Sequence, residues 1–290
     1  KVDLMIGGHE HNAVKPDYAN RIYYPGAFNS TMYKFDLVIN NKNSQLKNIE
    51  VLKNENLKVA PEFEKNLKHV EEKAKLLEGF APSVLNLTKR YSNPCPLGTF
   101  MADAMRNETK SDIAFFSTGF LMSPLPYKPG EMITNFDLEK TITGHCPIEK
   151  ITVTPDTLKE IFQNALENRY IKDKANSRFL QCSRNVKLVG TGDPESQIYS
   201  LKQIYINDEP LFDEETGKAL DPKKQITCAI DSYIGRGGQA FTMLKDIPKD
   251  RNVYNGGQID MEGMLRVAIK KAAQQNPEIR EYPSFELIDI

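Results

Sequence analysis

Two imidazoles are the first residues in this chain whose type and spacing could do chemistry. His9 and His11 flank a single residue in Ile6-Gly7-Gly8-His9-Glu10-His11, and they are two of the four histidines in the sequence. Imidazole is the commonest metal ligand. The Gly7-Gly8 pair frees the backbone to turn sharply, so that both rings can approach one centre or a close pair. A catalytic divalent metal needs several protein donors, carboxylates among them in a two-metal site. Glu10 points away from its neighbours in an extended loop, and Asp3 lies inside the preceding apolar run, so neither completes the set. The competing reading is two surface histidines near each other by chance; their place at a strand end favours ligands. A second candidate, Gly235-Arg236-Gly237-Gly238, lacks the Gly-x-x-x-x-Gly-Lys-Ser/Thr spacing. It runs into Gln239-Ala240-Phe241 rather than a helix start, which excludes a P-loop.

The elements that must position these residues follow from periodicity. Val2, Leu4, Met5 and Ile6 predict a buried strand ending at the glycine pair, and strand-end loops are where α/β chains place their chemistry. A strand over 21–24 breaks at Pro25-Gly26, and apolar runs at 35–39 and 48–52 around an Asn-rich turn predict a hairpin. Pro61 opens a helix over 61–77, with Phe63, Leu67, Val70, Ala74 and Leu77 as one packed stripe and Gly79 as its stop. Beyond it the pattern alternates. It gives a strand at 84–87, a helix at 97–108 and an apolar strand at 112–116 delivering the loop 117–124. A strand at 148–153 follows, then a helix begun by Thr154-Pro155 with Leu158, Ile161, Phe162, Ala165 and Leu166 inward. Strands at 198–206 and 225–230 and a helix at 260–274 complete the reading. This order predicts an α/β chain with a mixed sheet.

Composition narrows the function classes. The 290 residues allow two modest domains, and 40% apolar with 27% charged residues is ordinary for a globular chain. A formal net charge of −1 gives no electrostatic argument for a nucleic-acid or anionic-membrane partner. No apolar run reaches bilayer length. Cys95, Cys146, Cys182 and Cys228 form no Cys-x-x-Cys pair, which argues against structural zinc and leaves buried thiols or up to two disulfides open. Asn29, Asn86 and Asn107 begin Asn-x-Ser/Thr triplets, which matter only in a eukaryotic secretory pathway.

The segment Asp3-Leu4-Met5-Ile6-Gly7-Gly8-His9-Glu10-His11 resembles the last metal-binding motif of calcineurin-like metallophosphatases, Gly-His-x-His, as carried by 5′-nucleotidases. Three further blocks run in family order. Pro96-Leu-Gly-Thr-Phe-Met-Ala-Asp-Ala-Met-Arg106 resembles "PLGNLVADAMR", Ile151-Thr-Val-Thr-Pro-Asp-Thr-Leu-Lys-Glu-Ile161 resembles "LTGAELKEAL", and Asp231-Ser-Tyr-Ile-Gly-Arg-Gly-Gly-Gln-Ala-Phe241 resembles "NFLANGGDGF". The family's earlier ligand motifs (Asp-x-His, Gly-Asp-x-x-Asp, Gly-Asn-His-Glu/Asp) do not occur here. The resemblance therefore implies a truncated portion of a longer protein. Residues 1–58 would be the tail of a metallophosphatase sandwich, 59–80 a connector helix, and 81–290 a 5′-nucleotidase C-terminal, substrate-binding domain.

The same resemblance implies two divalent metal ions (zinc, manganese or similar) in the whole enzyme, with His9 and His11 each on one metal and no catalytic residue in this portion. In the family, two aromatic rings sandwich the base, arginines grip the anionic part and an Asp bonds the ribose. Tyr233 falls on the second aromatic position, and Gln239 replaces the Asp. Met122 replaces an arginine, and the first aromatic position falls near Gly144-His145-Cys146. Arg236 and His145 are the candidate substitutes. Tyr233 as a core aromatic and Arg236 as a solvated loop charge are the plain alternatives. The function implied is the substrate-binding portion of a two-metal phosphomonoesterase, a secreted, periplasmic or cell-surface hydrolase acting on a nucleotide or related phosphate ester and inactive as this piece alone. The competing readings are a non-catalytic nucleotide- or partner-binding member with a decayed site, and a cytosolic phosphodiesterase.

Overall fold

The computed structural model describes residues 5–7, 22–23, 31–39, 44–53, 60–82, 85–88, 90–122, 127–167, 170–171, 174–175, 177–193, 198–275 and 286–288. The chain divides into two compact units, Lys1–Val70 and Glu71–Ile290. In the first, β1 (Met5–Ile6) pairs in parallel with β2 (Ile22–Tyr23), and β3 (Thr31–Ile39) forms the expected antiparallel hairpin with β4 (Ser44–Lys53). Tyr23 is buried, its ring edge-on to Phe35 at 5.1 Å. The opening strand was expected to be buried, yet Met5 and Ile6 are exposed. The pair is two strands wide, and burial falls on Tyr23 of β2, against Tyr33 and Phe35, rather than on β1.

Helix α1 (Pro61–Ala74) has acidic Glu62 and Glu64 in its first turn and Lys73 in its last, each complementing the helix dipole. Its expected stripe is present in sequence but not packed: Phe63, Leu67 and Val70 are exposed, and the helix buries no residue. It also stops before Leu77, which opens β5 (Leu77–Phe80). Gly79, expected as the helix stop, sits inside that strand, where a Cβ would stand 2.7 Å from Ile269 Cγ2. Strand pairing has overridden the helical period at these residues.

The second unit continues with α2 (Pro96–Thr109), β6 (Ile113–Ser117), β7 (Met132–Thr134), α3 (Asn135–Thr141), β8 (Ile148–Val153) and α4 (Pro155–Glu167). Short β9 (Tyr170–Ile171) and β10 (Lys174–Ala175) precede β11 (Leu180–Cys182), β12 (Val186–Asp193), β13 (Ile198–Ile206) and β14 (Glu209–Pro210). Then come β15 (Ile226–Asp231), the single turn α5 (Ser232–Gly235), α6 (Met261–Gln275) and β16 (Glu286–Ile288). The strand expected at 84–87 is, in its described part, one bridge between Leu85 and Tyr127. Helix α3 went unforeseen, although Thr134 and Asp137 form a complete capping box at its start.

The central sheet has the order β11-β6-β15-β8, with β6 and β15 parallel and the outer pairs antiparallel. Both of its faces are covered. Ile113 and Phe115 of β6 join the core formed with α4 and β13, while Ala114 and Phe116 join the core formed with α2 and α6. That two-residue alternation with apolar groups on both sides is why β6 reads as an unbroken apolar run. The second four-stranded sheet runs β14-β13-β12-β16. The fold is thus mixed α/β with sheets of mixed orientation and six helices among the described residues.

All four cysteines are free thiols. Burial pushes Cys95 up to about 11 and Cys182 up to about 12, so neither is a thiolate at neutral pH. Among the described residues no helix is long and apolar enough to cross a membrane.

Candidate functional site

β6 and β15 are parallel neighbours, so their carboxyl ends emerge side by side, where open α/β sheets place ligands. Asp231, at the end of β15, is fully buried and ties the two ends together. Its Oδ1 accepts the backbone N–H of Tyr233 (3.0 Å) and Ile234 (2.9 Å), capping α5. Its Oδ2 accepts the N–H of Ser117 at 2.8 Å, fixing the last residue of β6. The three donors favour the charged carboxylate, but burial, with the nearby Glu149 adding to it, pushes Asp231 up to about 6.

That cap delivers Tyr233 outward. The residue is 43% exposed, so the core alternative for this ring does not hold. Gly238 closes against it: a Cβ at that position would stand 2.8 Å from two of the ring carbons. Only glycine permits so close an approach of backbone to ring. On the neighbouring loop, Phe120 lies edge-to-face with Tyr233, centroids 6.3 Å apart and planes at 83°.

Gln239 sits between the loops at a backbone φ of +52°. Its amide nitrogen donates to Ser177 Oγ (2.7 Å), and its amide oxygen accepts from Ser117 Oγ (2.8 Å), which also lies 3.0 Å from the Ser177 carbonyl. Both ends of this amide are thus engaged by protein, so the residue holds three loops in place. Arg236 is exposed at the end of α5, with no partner for its guanidinium among the described residues. The His145 side chain is 87% exposed, with Nδ1 3.2 Å from Asp260, and no bond or ring contact joins it to Tyr233. Its segment does border the site, since Thr143 N–H donates to Phe120 O and Ser232 N–H to Pro147 O, both at 2.9 Å.

The sequence reading singled out neither Phe120 nor Arg90. The Arg90 carbonyl accepts the Thr118 hydroxyl at 3.0 Å, and its guanidinium lies 4.3 Å over the Tyr91 ring. Its Nε is buried with no hydrogen-bond partner among the described residues. The signal for Phe120 was in view, an aromatic in a loop at a strand end. Only the fold, however, places it against a residue more than a hundred positions away. His9 and His11 lie outside the described residues. Among those described, no group of three or more His, Cys, Asp or Glu could hold a metal ion.

Solved structures share this architecture. A Staphylococcus aureus protein assigned as a 5′-nucleotidase, in complex with alpha-ketoglutarate, matches with a TM-score of 0.67 at 16% identity, over 100% of this chain and 56% of its own. The 5′-nucleotidase precursor of Thermus thermophilus gives 0.57 at 15% identity, over 97% of this chain and 56% of its own. The sulfate thiohydrolase SoxB of the same organism, in complex with glycerol, gives 0.54 at 15% identity, over 100% of this chain and 50% of its own. At these identities the likeness is one of fold, and the chain spans about half the length of the structures it matches. No curated protein matches it in sequence. A family profile described as the 5′-nucleotidase C-terminal domain matches residues 74–246; that is more than half of the 290 residues, and the chain belongs to this family.

Proposed function

We propose that this chain is the substrate-binding portion of a metal-dependent phosphoric ester hydrolase, and that the Tyr233 site holds the flat leaving group of a nucleotide or related phosphate ester. The observation that carries this reading is Tyr233 itself, an exposed ring held rigid by the Asp231 cap and by Gly238 at the ends of two parallel strands. Rigid aromatic faces stack flat rings at little entropic cost. Arg236, exposed three residues on from Tyr233, is the candidate for the ligand's anionic part, taking the role that Met122 cannot. Residues 1–58 would belong to the catalytic half, 59–80 would connect, and 81–290 would bind substrate. The whole protein would act outside the cytosol, as the family resemblance implies.

Two divalent metals would supply a metal-bound water and charge neutralisation at the phosphoryl group. His9 and His11 suit zinc or manganese as imidazole donors, one to each metal, but two donors do not complete a two-metal set. No catalytic step is assigned to this chain for that reason. Adding zinc or manganese is predicted to leave the purified chain inactive toward AMP; turnover would contradict the assignment.

Binding is tested by titrating the chain with adenosine, AMP and ribose 5-phosphate, then repeating with Tyr233→Ala. Stacking of one base on one ring is worth about 1–3 kcal/mol, so the variant should lose roughly tenfold or more in adenosine affinity. Unchanged binding would remove Tyr233 from the site. The second reading, a binding member without turnover, is favoured by Met122 and by the engaged amide of Gln239. Degraded Asp-x-His and Asn-His-Asp/Glu motifs in the full-length protein would decide for it.

A further inference from the structure

The ribbon of β5 and β7 carries apolar side chains on both of its faces. Inward, Gly79 and Ile133 are buried, Gly79 against Ile269 of α6, and Glu78 pairs with Arg266 and Lys270 of the same helix. The register slips between Leu77 and Gly79, so Glu78 and Gly79 both turn inward while Leu77 and Phe80 both turn outward. Phe80 stands directly across from Met132, and the two residues are 42% and 62% exposed. Leu76, whose carbonyl accepts the Asn135 N–H at 2.8 Å, and Phe136 in the first turn of α3 extend the patch, and both are exposed. An antiparallel ribbon packed on one face ordinarily turns polar residues to water on the other. Five large apolar side chains grouped there mark a surface that associates.

Charge around the patch selects a second copy as the partner. Exposed Lys75 directly precedes Leu76 at one end, where Lys140 Nζ also lies 3.8 Å over the Phe136 ring. Exposed Glu131 directly precedes Met132 at the other end. Glu139, bonded to Asn135, and Lys128, in the turn before Glu131, offset part of each charge. A face with Lys75 at one end and Glu131 at the other is complementary to itself. A two-fold axis through its middle sets Lys75 of one copy opposite Glu131 of the other. Area fits as well. With each side chain roughly half exposed, the patch presents on the order of 500 Å², the apolar share that one side of a standard homodimer interface needs.

We propose that the outer face of β5 and β7 is the contact of a two-fold dimer between copies of this chain, with Phe80 and Met132 at its centre and Lys75–Glu131 pairs at its ends. The proposal does not rest on the ligand reading of Tyr233.

Sedimentation equilibrium of the 290-residue chain tests it. Wild type should be mostly dimeric at about 50 μM. Met132→Glu sets like charges against each other across the axis, on a residue exposed in the monomer, and should give a monomer of unchanged thermal midpoint. Lys75→Glu should weaken the dimer by about threefold to tenfold, and combining it with Glu131→Lys should restore the affinity. A monomeric wild-type chain, or a Met132→Glu variant that still dimerises, would overturn the proposal. Wild-type affinity in Lys75→Glu, or no recovery in the double variant, would overturn the two-fold arrangement. A full-length protein that stays monomeric where this chain dimerises would give the face to the rest of the polypeptide, and overturn the proposal too.

Discussion

Gly98 explains why a glycine stands in the Pro-Leu-Gly motif at the start of α2. A Cβ there would stand 2.6 Å from Cγ of Gln181, a side chain that is fully buried. Gln181 cannot move aside freely. Its amide oxygen accepts Cys95 N–H at 2.9 Å, and its amide nitrogen donates to the Arg90 and Asn93 carbonyls at 2.8 and 3.0 Å. Gly98→Ala is therefore predicted to cost about 2–4 kcal/mol, from overpacking plus lost buried hydrogen bonds, read as a lower urea midpoint. The opposite sign is predicted at Ala240, whose φ of +67° a Cβ opposes. Ala240→Gly should stabilise by about 0.5–1 kcal/mol in the same assay, the relieved strain being partly offset by chain entropy. The motif's presence was legible in the sequence, but the reason for its glycine was not, because Gln181 lies more than eighty residues away.

At the scale of elements, Asp231 joins β15, α5 and the end of β6 through one carboxyl group. Its folded value of about 6 lies above that of an ordinary carboxyl group, just below 4. Between those values the folded state holds the proton more tightly. The group's contribution to stability is therefore full below about pH 4 and is lost as pH rises through 6, by about 3 kcal/mol. Asp231→Asn should flatten that part of the urea stability profile relative to wild type. It should also weaken the junction, since an amide nitrogen would face the Ser117 N–H, donor against donor. A profile of unchanged slope would show that Asp231 stays ionised throughout. Elements with a continuous period or run were legible: α4, whose inward residues are all buried, and β6. β5, β7 and α3 were not, because each is only a few residues long and is fixed by its neighbours rather than by its own pattern. The α1 stripe shows the converse, a clear helical period without a packed face.

For the whole molecule, the likeness to solved structures is one of fold, and the matched family profile spans the ends of β6 and β15. Tyr233 was singled out through the resemblance of the block Asp231–Phe241, where it stands two residues before Gly235. Phe120 was not singled out, because nothing near it in sequence points to β15. Gln239 was expected to touch ligand, whereas its amide is spent on Ser117 and Ser177. What unites the account is a flat ring held at the joined ends of β6 and β15. Backbone amide shifts of the isotope-labelled chain, followed during adenosine titration, test this most directly. The account predicts saturable changes concentrated at residues 117–120 and 232–240, reduced in Tyr233→Ala. Saturable changes centred elsewhere, or none at concentrations that saturate binding, would contradict it.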